Sequence, residues 1–233
     1  FYLCRKLSEV NFAENGVVAA IGKNAFDQCE SLYEISVPST VSQIGAGALA
    51  SSSIVIINNQ TPATIGMDVF SSGSVIYVPA GSNLSVYKVA TNWQKYAANI
   101  LIGGKCGDDA AWSYNENNNT LSISGTGSTY DYGTKDGHTD APWSQYYDKL
   151  ANTNVTNYIV GIGTNAFNGC IKLSDFDFKK VEIIGDHAFE GCSSLADITI
   201  PASIKSIGTK AFANCDALTS VIVEGNSPAT LEE

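Results

Sequence analysis

The pattern F-x-x-C-x-x-L occurs five times, at Phe1/Cys4/Leu7, Phe26/Cys29/Leu32, Phe167/Cys170/Leu173, Phe189/Cys192/Leu195 and Phe212/Cys215/Leu218. Weaker copies start at Leu49 and Phe70, so the steps are 25, 23 and 21 residues in the first half and 22 and 23 in the second. Self-similarity at that period marks a solenoid, in which each unit is a short motif that cannot cover its own apolar face. Stacked neighbours can, and burial at roughly 25 cal/mol per Å² is what stabilises such an array.

The full unit reads I-G-x-x-A-F-x-x-C-x-x-L-x-x-I-x-I-P, as in "IGDHAFEGCSSLADITIP" at 184–201. Ile198, Thr199 and Ile200 alternate inward and outward, and Pro201 ends the run by withholding a backbone donor, so each coil is predicted to contribute one short strand. Gly22, Gly163, Gly185 and Gly208 follow an Ile, where a sharp turn leaves no room for a side chain. Ala25, Ala166, Ala188 and Ala211 are small where coils meet, and the Phe that follows each one stacks on its counterpart a coil away.

Six cysteines in such a chain raise the question of disulfides. Five of them, Cys29, Cys170, Cys192 and Cys215 among them, hold one position in the repeat. Equivalent side chains on neighbouring coils point the same way at roughly 4.8 Å, a poor match to disulfide geometry, so the column is predicted to be free thiols packed as small hydrophobes. Cys106 stands outside it and reads as a further free thiol. No C-x-x-C pair occurs, and His138 and His187 follow no ligand spacing, so no metal is expected.

Two segments interrupt the repeat. In 81–100, Val86, Val89, Ala90, Trp93, Tyr96, Ala97 and Ile100 fall on one helical face, which predicts an amphipathic helix capped by Ser82 or Ser85 and laid over the last open coil. Beyond it, Ala111–Tyr114 and Leu121–Ser124 flank an Asn-rich turn and read as a hairpin. The expected organisation is therefore residues 1–102 as the end of one array with its helical cap, 103–151 as a hairpin-rich cap, and 152–233 as the start of a second array. The closing "GNSPATLEE" echoes "NNQTPATIG" at 58–66, after which the first array still has a coil and its helix, so the second is expected to continue past residue 233.

The unit "AFDQCESLYEISVPSTVSQIG" resembles the BspA-type, or Treponema pallidum type, leucine-rich repeat of bacterial surface proteins. The segments "IYVPAGSNLSVYKVATNW" and "CGDDAAWSYNENNNTLSISGTGSTYDY" also resemble stretches that flank arrays in that family. The resemblance implies a β-rich leucine-rich repeat solenoid of the right-handed superhelix type, in two arrays of coils about 21–25 residues long. It also implies a secreted or surface-anchored bacterial protein, with adhesion to host matrix proteins or other bacteria as one role of its relatives, and it transfers no catalytic residue. Local departures are Leu49, which lacks its Cys, Phe70, followed by Ser71, Ser72 and Gly73, and "SDFDFKK", which puts Lys179 where Pro is usual.

Composition narrows the partners. Only 15% of the 233 residues are charged, the net charge is −10, and no basic stripe is present to neutralise phosphates, which excludes nucleic acid. The same acidity disfavours anionic membrane surfaces, and no apolar run approaches the ~18–20 residues that span a bilayer. Opening on Phe1 rather than Met, the chain reads as a fragment or a processed form, and as a monomer.

The run "YDYGTKDGHTDAPWSQYY" at 130–147 gathers Asp131, Asp136, Asp140, His138, Trp143 and four tyrosines. Its aromatics could stack on a sugar, or its aspartates hold calcium, although the spacing fits no EF-hand loop; the plainer reading has Trp143 covering the first coil of the second array. A buried cysteine beside His187 is inert as a nucleophile, and no G-x-S-x-G, phosphate-loop or H-E-x-x-H motif occurs. No catalytic residue and no cofactor are therefore expected. Outward strand positions Asn11, Ser36, Tyr77, Asp177, Thr199 and Ile222 should line one face, with Tyr77 and Ile222 as anchors. Three roles stay open: a non-enzymatic surface module binding a host or bacterial protein, a carbohydrate-binding module using Trp143, and a spacer displaying another domain.

Overall fold

The structure, a computed structural model, describes residues 1–13, 17–225 and 230–231. The chain divides into two compact units, Phe1–Gly104 and Lys105–Glu233.

In the first unit the strands alternate between two parallel sheets: β1 (Ala20–Ile21), β2 (Glu34–Val37), β3 (Gln43–Ile44), β4 (Ile54–Ile57), β5 (Thr64–Ile65), β6 (Val75–Val78) and β7 (Ile100–Lys105). The two-residue strands stack as β1-β3-β5, with Ile21, Ile44 and Ile65 in register. The longer ones pair β2 to β4, β4 to β6 and β6 to β7, which lines up Ile35, Val55, Ile76 and Ile100 in one buried row. The coils that start at Phe26 and Leu49 thus contribute two strands each rather than the single one expected. The x-I-G that precedes the turn is itself a minimal strand, held by hydrogen bonds such as Gly45 N–H to Ile21 O at 2.8 Å.

A third line of bonds joins the turns. Phe26 N–H donates to Ala48 O at 3.0 Å, and Phe189 N–H to Ala211 O at 2.8 Å. To aim those groups along the stack, the residue before each Ala–Phe or its equivalent is left-handed: Asn24, Gly47, Asp68, Asn165, His187 and Lys210 have φ between 52° and 67°. The glycine after Ile has a different job from the sharp turn expected of it. A Cβ on Gly185 would lie 2.5 Å from Thr164 N, and one on Gly163 2.0 Å from Tyr130 O, so the residue is small because the preceding segment lies against it.

The helix expected over 81–100 is shorter. The α-helix α1 spans Leu84–Val89, is capped by Asn83 Oδ1 rather than by a serine, and gives way to a 3-10 turn at Gln94–Tyr96. Asn92, left-handed at φ 67°, breaks it, and its amide donates to Ile65 O at 2.7 Å. Val86 and Val89, placed on the buried face of one long helix, are exposed, the latter at 76%. Trp93, Tyr96 and Ile100 are buried as expected, and Tyr87 is buried with them.

The second unit contains β8 (Ala110–Asn115), β9 (Thr120–Gly125), β10 (Gly127–Ser128), β11 (Thr134–Lys135), β12 (His138–Thr139), β13 (Asn152–Val155), β14 (Ile159–Ile162), β15 (Ile183–Ile184), β16 (Asp197–Ile200), β17 (Ser206–Ile207), β18 (Ser220–Val223) and β19 (Thr230–Leu231). The antiparallel pair β8–β9 contains both runs read as a hairpin, and β13 adds to β9 in parallel. The short strands stack β10-β14-β15-β17-β19, while β16 pairs with β18. Most of the closing echo at 225–233 lies outside the described residues, apart from Gly225 and the β19 backbone, which pairs with β17 as β5 pairs with β3.

The Phe positions form columns. Phe1 stacks on Phe26 at 5.4 Å between centroids, Phe167 on Phe189 at 5.2 Å and Phe189 on Phe212 at 5.3 Å, with rings within 6° of parallel. Phe176 and Phe178 wedge edge-on against Phe189, filling the coil "SDFDFKK" with rings where others use Ile. That coil carries no strand at 174–178, between β14 and β15.

Candidate functional site

The cysteine column is structural. The Sγ of Cys29 donates to Phe1 O at 3.1 Å, that of Cys192 to Phe167 O at 3.2 Å and that of Cys215 to Phe189 O at 3.2 Å. Each thiol therefore ties itself to the ring-bearing residue of the coil before it. All six cysteines are free, and only Cys4 is exposed. Burial pushes the Cys106 and Cys170 thiols up to about 12 and raises Cys192 and Cys215 as well, so none of them is poised as a nucleophile.

The residues expected to bind are not brought together. Tyr77, in the first unit, is only 7% exposed: Ile56 and Leu101 flank it in register on the two neighbouring strands. Trp143 is fully buried, boxed by Trp112, Tyr132 and Phe167, and its Nε1 donates to Ala166 O at 2.9 Å. It cannot serve as a sugar platform. Asp177 is exposed but lies on no strand; its Oδ1 accepts from Lys179 N–H at 3.0 Å and turns the chain where Lys179 is left-handed at φ 42°. Ile222, on β18, is exposed at 56% as expected.

What the second unit does build is a polar cleft of ≈ 590 Å³. One wall is the β11–β12 hairpin, whose turn residues Asp136 and Gly137 have φ of 54° and 84°, the two-residue primed turn that an Asp-Gly pair favours. Thr139 N–H donates to Asn168 O at 2.8 Å and fixes the hairpin to the first repeat turn. His138 stacks on Tyr147 at 4.0 Å and 16°, and its Nδ1 lies 3.0 Å from Thr139 O. With that nitrogen donating to the carbonyl, Nε2 is the acceptor of the neutral ring.

The opposite wall comes from equivalent positions of successive coils: Asn165, Asn168 and Gly169, then His187, Glu190 and Gly191, then Asn214. The amide of Asn165 donates to Tyr132 O at 2.9 Å, and that of Asn168, 8% exposed, to Asn165 Oδ1 at 3.3 Å. Glu190 is held from two sides, with Oε2 2.5 Å from His187 Nδ1 and Oε1 accepting from Asn214 Nδ2 at 3.2 Å. Gly191, left-handed at 73°, leaves the floor free of a side chain, while Gly169, at 68°, is small because the hairpin lies on it: a Cβ there would sit 2.7 Å from that of His138 and 2.8 Å from Gly137 O. The first unit has Leu3 and Gln28 at the corresponding F-x-x-C position.

No Lys or Arg lines this cleft. Among the described residues no group of three His, Cys, Asp or Glu could hold a metal, and no helix is long and apolar enough to cross a membrane. The lining offers donors and acceptors on a fixed frame, which is the equipment of recognition. Sequence reasoning had both histidines and the 130–147 run in hand but not their meeting; the signals were K-D-G-H for the hairpin and F-x-G-C, twice, for the two glycines.

Residues 1–90 and 144–231 match the model of the BspA type leucine rich repeat region, in six copies. The chain is similar to the crystal structure of a leucine rich cell surface protein of Faecalibacterium prausnitzii, at 18% identity and a TM-score of 0.36, covering 88% of this chain and 63% of that one. It is also similar to a leucine-rich repeat protein of Bacteroides ovatus, at 18% identity and a TM-score of 0.32, covering 99% and 69%. The chain thus spans less than two thirds of the Faecalibacterium protein. No curated protein matches it. The repeat that sets every coil, with its Phe column and its thiols, places this chain in the BspA-type leucine-rich repeat family.

Proposed function

We propose that this chain is a non-enzymatic binding module of a bacterial surface or secreted protein, acting in adhesion, with the polar cleft of the second unit as its recognition site. The observation that carries the reading is the cleft itself: a hairpin, seated on Gly169, and three consecutive coils converge around the open backbone of Gly191, lined by amides and rings rather than by a nucleophile. Solenoids present such surfaces on a rigid frame, so little ordering cost is paid on binding.

The test attaches the protein through exposed Cys4 and measures its retention of matrix glycoproteins and purified bacterial wall polysaccharides. The wild type should retain at least one, and Asn214→Gly should not. That substitution removes an exposed amide from a left-handed position, φ 57°, which glycine accepts without strain. Retention of none, or equal retention by the variant, contradicts the reading.

A further inference from the structure

We propose that the cleft takes a neutral oligosaccharide, with one pyranose ring against the His138–Tyr147 stack and its hydroxyls donating to Asn214 Oδ1 and His138 Nε2. This rests on the cleft being the recognition site. The amides of Asn165 and Asn168 are engaged within the wall, and with Nδ1 donating to Thr139 O the His138 ring presents Nε2, so the cleft meets a ligand mainly with acceptors, which sugar hydroxyls can serve as donors. Asn214 Nδ2 is engaged by Glu190, which leaves its carbonyl oxygen for a ligand hydroxyl. The stacked pair at 4.0 Å is a flat aromatic wall, suited to the C–H face of a sugar ring. Gly191 lets a ring approach the backbone, since a Cβ there would meet nothing nearer than 3.6 Å, whereas Gly169 is covered by the hairpin. A volume of ≈ 590 Å³ falls within the roughly 300–1,000 Å³ of small-ligand sites.

Charge decides among alternatives. With Asp136 and Glu190 on the lining and no cation but histidine, a sialylated or phosphorylated ligand meets like charge. A lysine-rich peptide would find Glu190 already taken by His187 and Asn214, and Asp136 alone. A neutral, hydroxyl-dense ligand suits the remaining groups.

The experiment titrates chitotetraose, cellotetraose, 3′-sialyllactose and a lysine-rich peptide into the whole chain and into Asn214→Gly and His138→Ala, with melting temperature as the check on folding. At least one neutral tetrasaccharide should bind with a Kd of about 1 mM or tighter. Each variant should weaken it about tenfold, the effect of one lost hydrogen bond or stacking face, without lowering the melting temperature. Should the peptide or the sialylated sugar bind instead, and weaken in both variants, the cleft is a recognition site but not for neutral sugar. Binding of a neutral sugar that both folded variants leave unchanged overturns the assignment to this cleft. If neither neutral sugar binds while a matrix glycoprotein is retained through Asn214, the sugar proposal falls and the binding reading stands.

Discussion

Trp93 and Trp143 end two aromatic columns from opposite directions along the chain. Trp93 follows its array and lies 5.4 Å from Phe70; Trp143 precedes its array and lies 5.6 Å from Phe167. Both are fully buried, and both donate from Nε1 to an alanine carbonyl, Ala63 at 2.8 Å and Ala166 at 2.9 Å. The end of a coil stack has two needs, apolar cover for the last ring and donors for its unpaired carbonyls, and an indole meets both. They differ in their company. Around Trp93, the hydroxyls of Tyr87 and Tyr96 donate to Asn59 O and Phe70 O, whereas Trp143 is packed by Trp112 and Tyr132. Both ends combine the two kinds of contact, since Tyr87 packs edge-on against Trp93 at 5.1 Å and the Tyr132 hydroxyl donates to Cys106 O at 3.2 Å, and what differs is which rings supply them.

That equivalence breaks most visibly at the tryptophans. Trp93→Ala and Trp143→Ala should each cost about 3–5 kcal/mol in a guanidinium titration, from lost area plus one orphaned carbonyl. A difference of more than about 2 kcal/mol between them would mean that only one is a true column end. Alkali should separate the units next. Four buried or nearly buried thiols with raised pKa lie in the second unit, Cys106, Cys170, Cys192 and Cys215, against Cys29 in the first. The unfolded chain ionises near 9.0 and the folded Cys106 and Cys170 only at about 12, so the stability they contribute is whole below about pH 9 and falls as pH rises from there to about 12. The loss should be about 1 kcal/mol per thiol at about pH 10. Limited proteolysis read by mass spectrometry should then cut the second unit first.

Two smaller tests bear on the columns. Phe189→Leu recreates in the second unit the leucine that the first has natively at Leu49, and should cost about 1.5 kcal/mol because its rings stack on both sides. Lys210→Gly should raise stability by about 1 kcal/mol, since an exposed lysine there is held left-handed at φ 54° with no need of its side chain.

The repeat was legible because one residue type recurs where one contact recurs: Phe stacks on Phe, and Cys donates to the carbonyl of the preceding Phe. The second strand of each coil was not, because two residues such as Gln43–Ile44 carry no alternation to read. Helical periodicity over 81–100 held for Trp93, Tyr96 and Ile100, which bury, and misled at Val86 and Val89, because α1 ends at Val89 and left-handed Asn92 starts a new direction, so the two stretches share no single face. Tyr77 reads as an exposed anchor from its type, while for Trp143 a sugar platform and a cover for the first coil are both open, and its burial against Phe167 is that of the cover. Their burial depends on which residues flank them across strands and coils, namely Ile56, Leu101, Trp112 and Tyr132, and local sequence does not carry that information.

Counting thiols tests the central claim most directly, since coils stacked on shared columns put every repeat sulfur of a covered coil inside. With Ellman's reagent and no reductant, the native chain should show one fast thiol, Cys4, and the denatured chain all six. Several fast thiols in the native chain, or fewer than six after denaturation, would contradict the stacked columns and the free, buried sulfurs they contain.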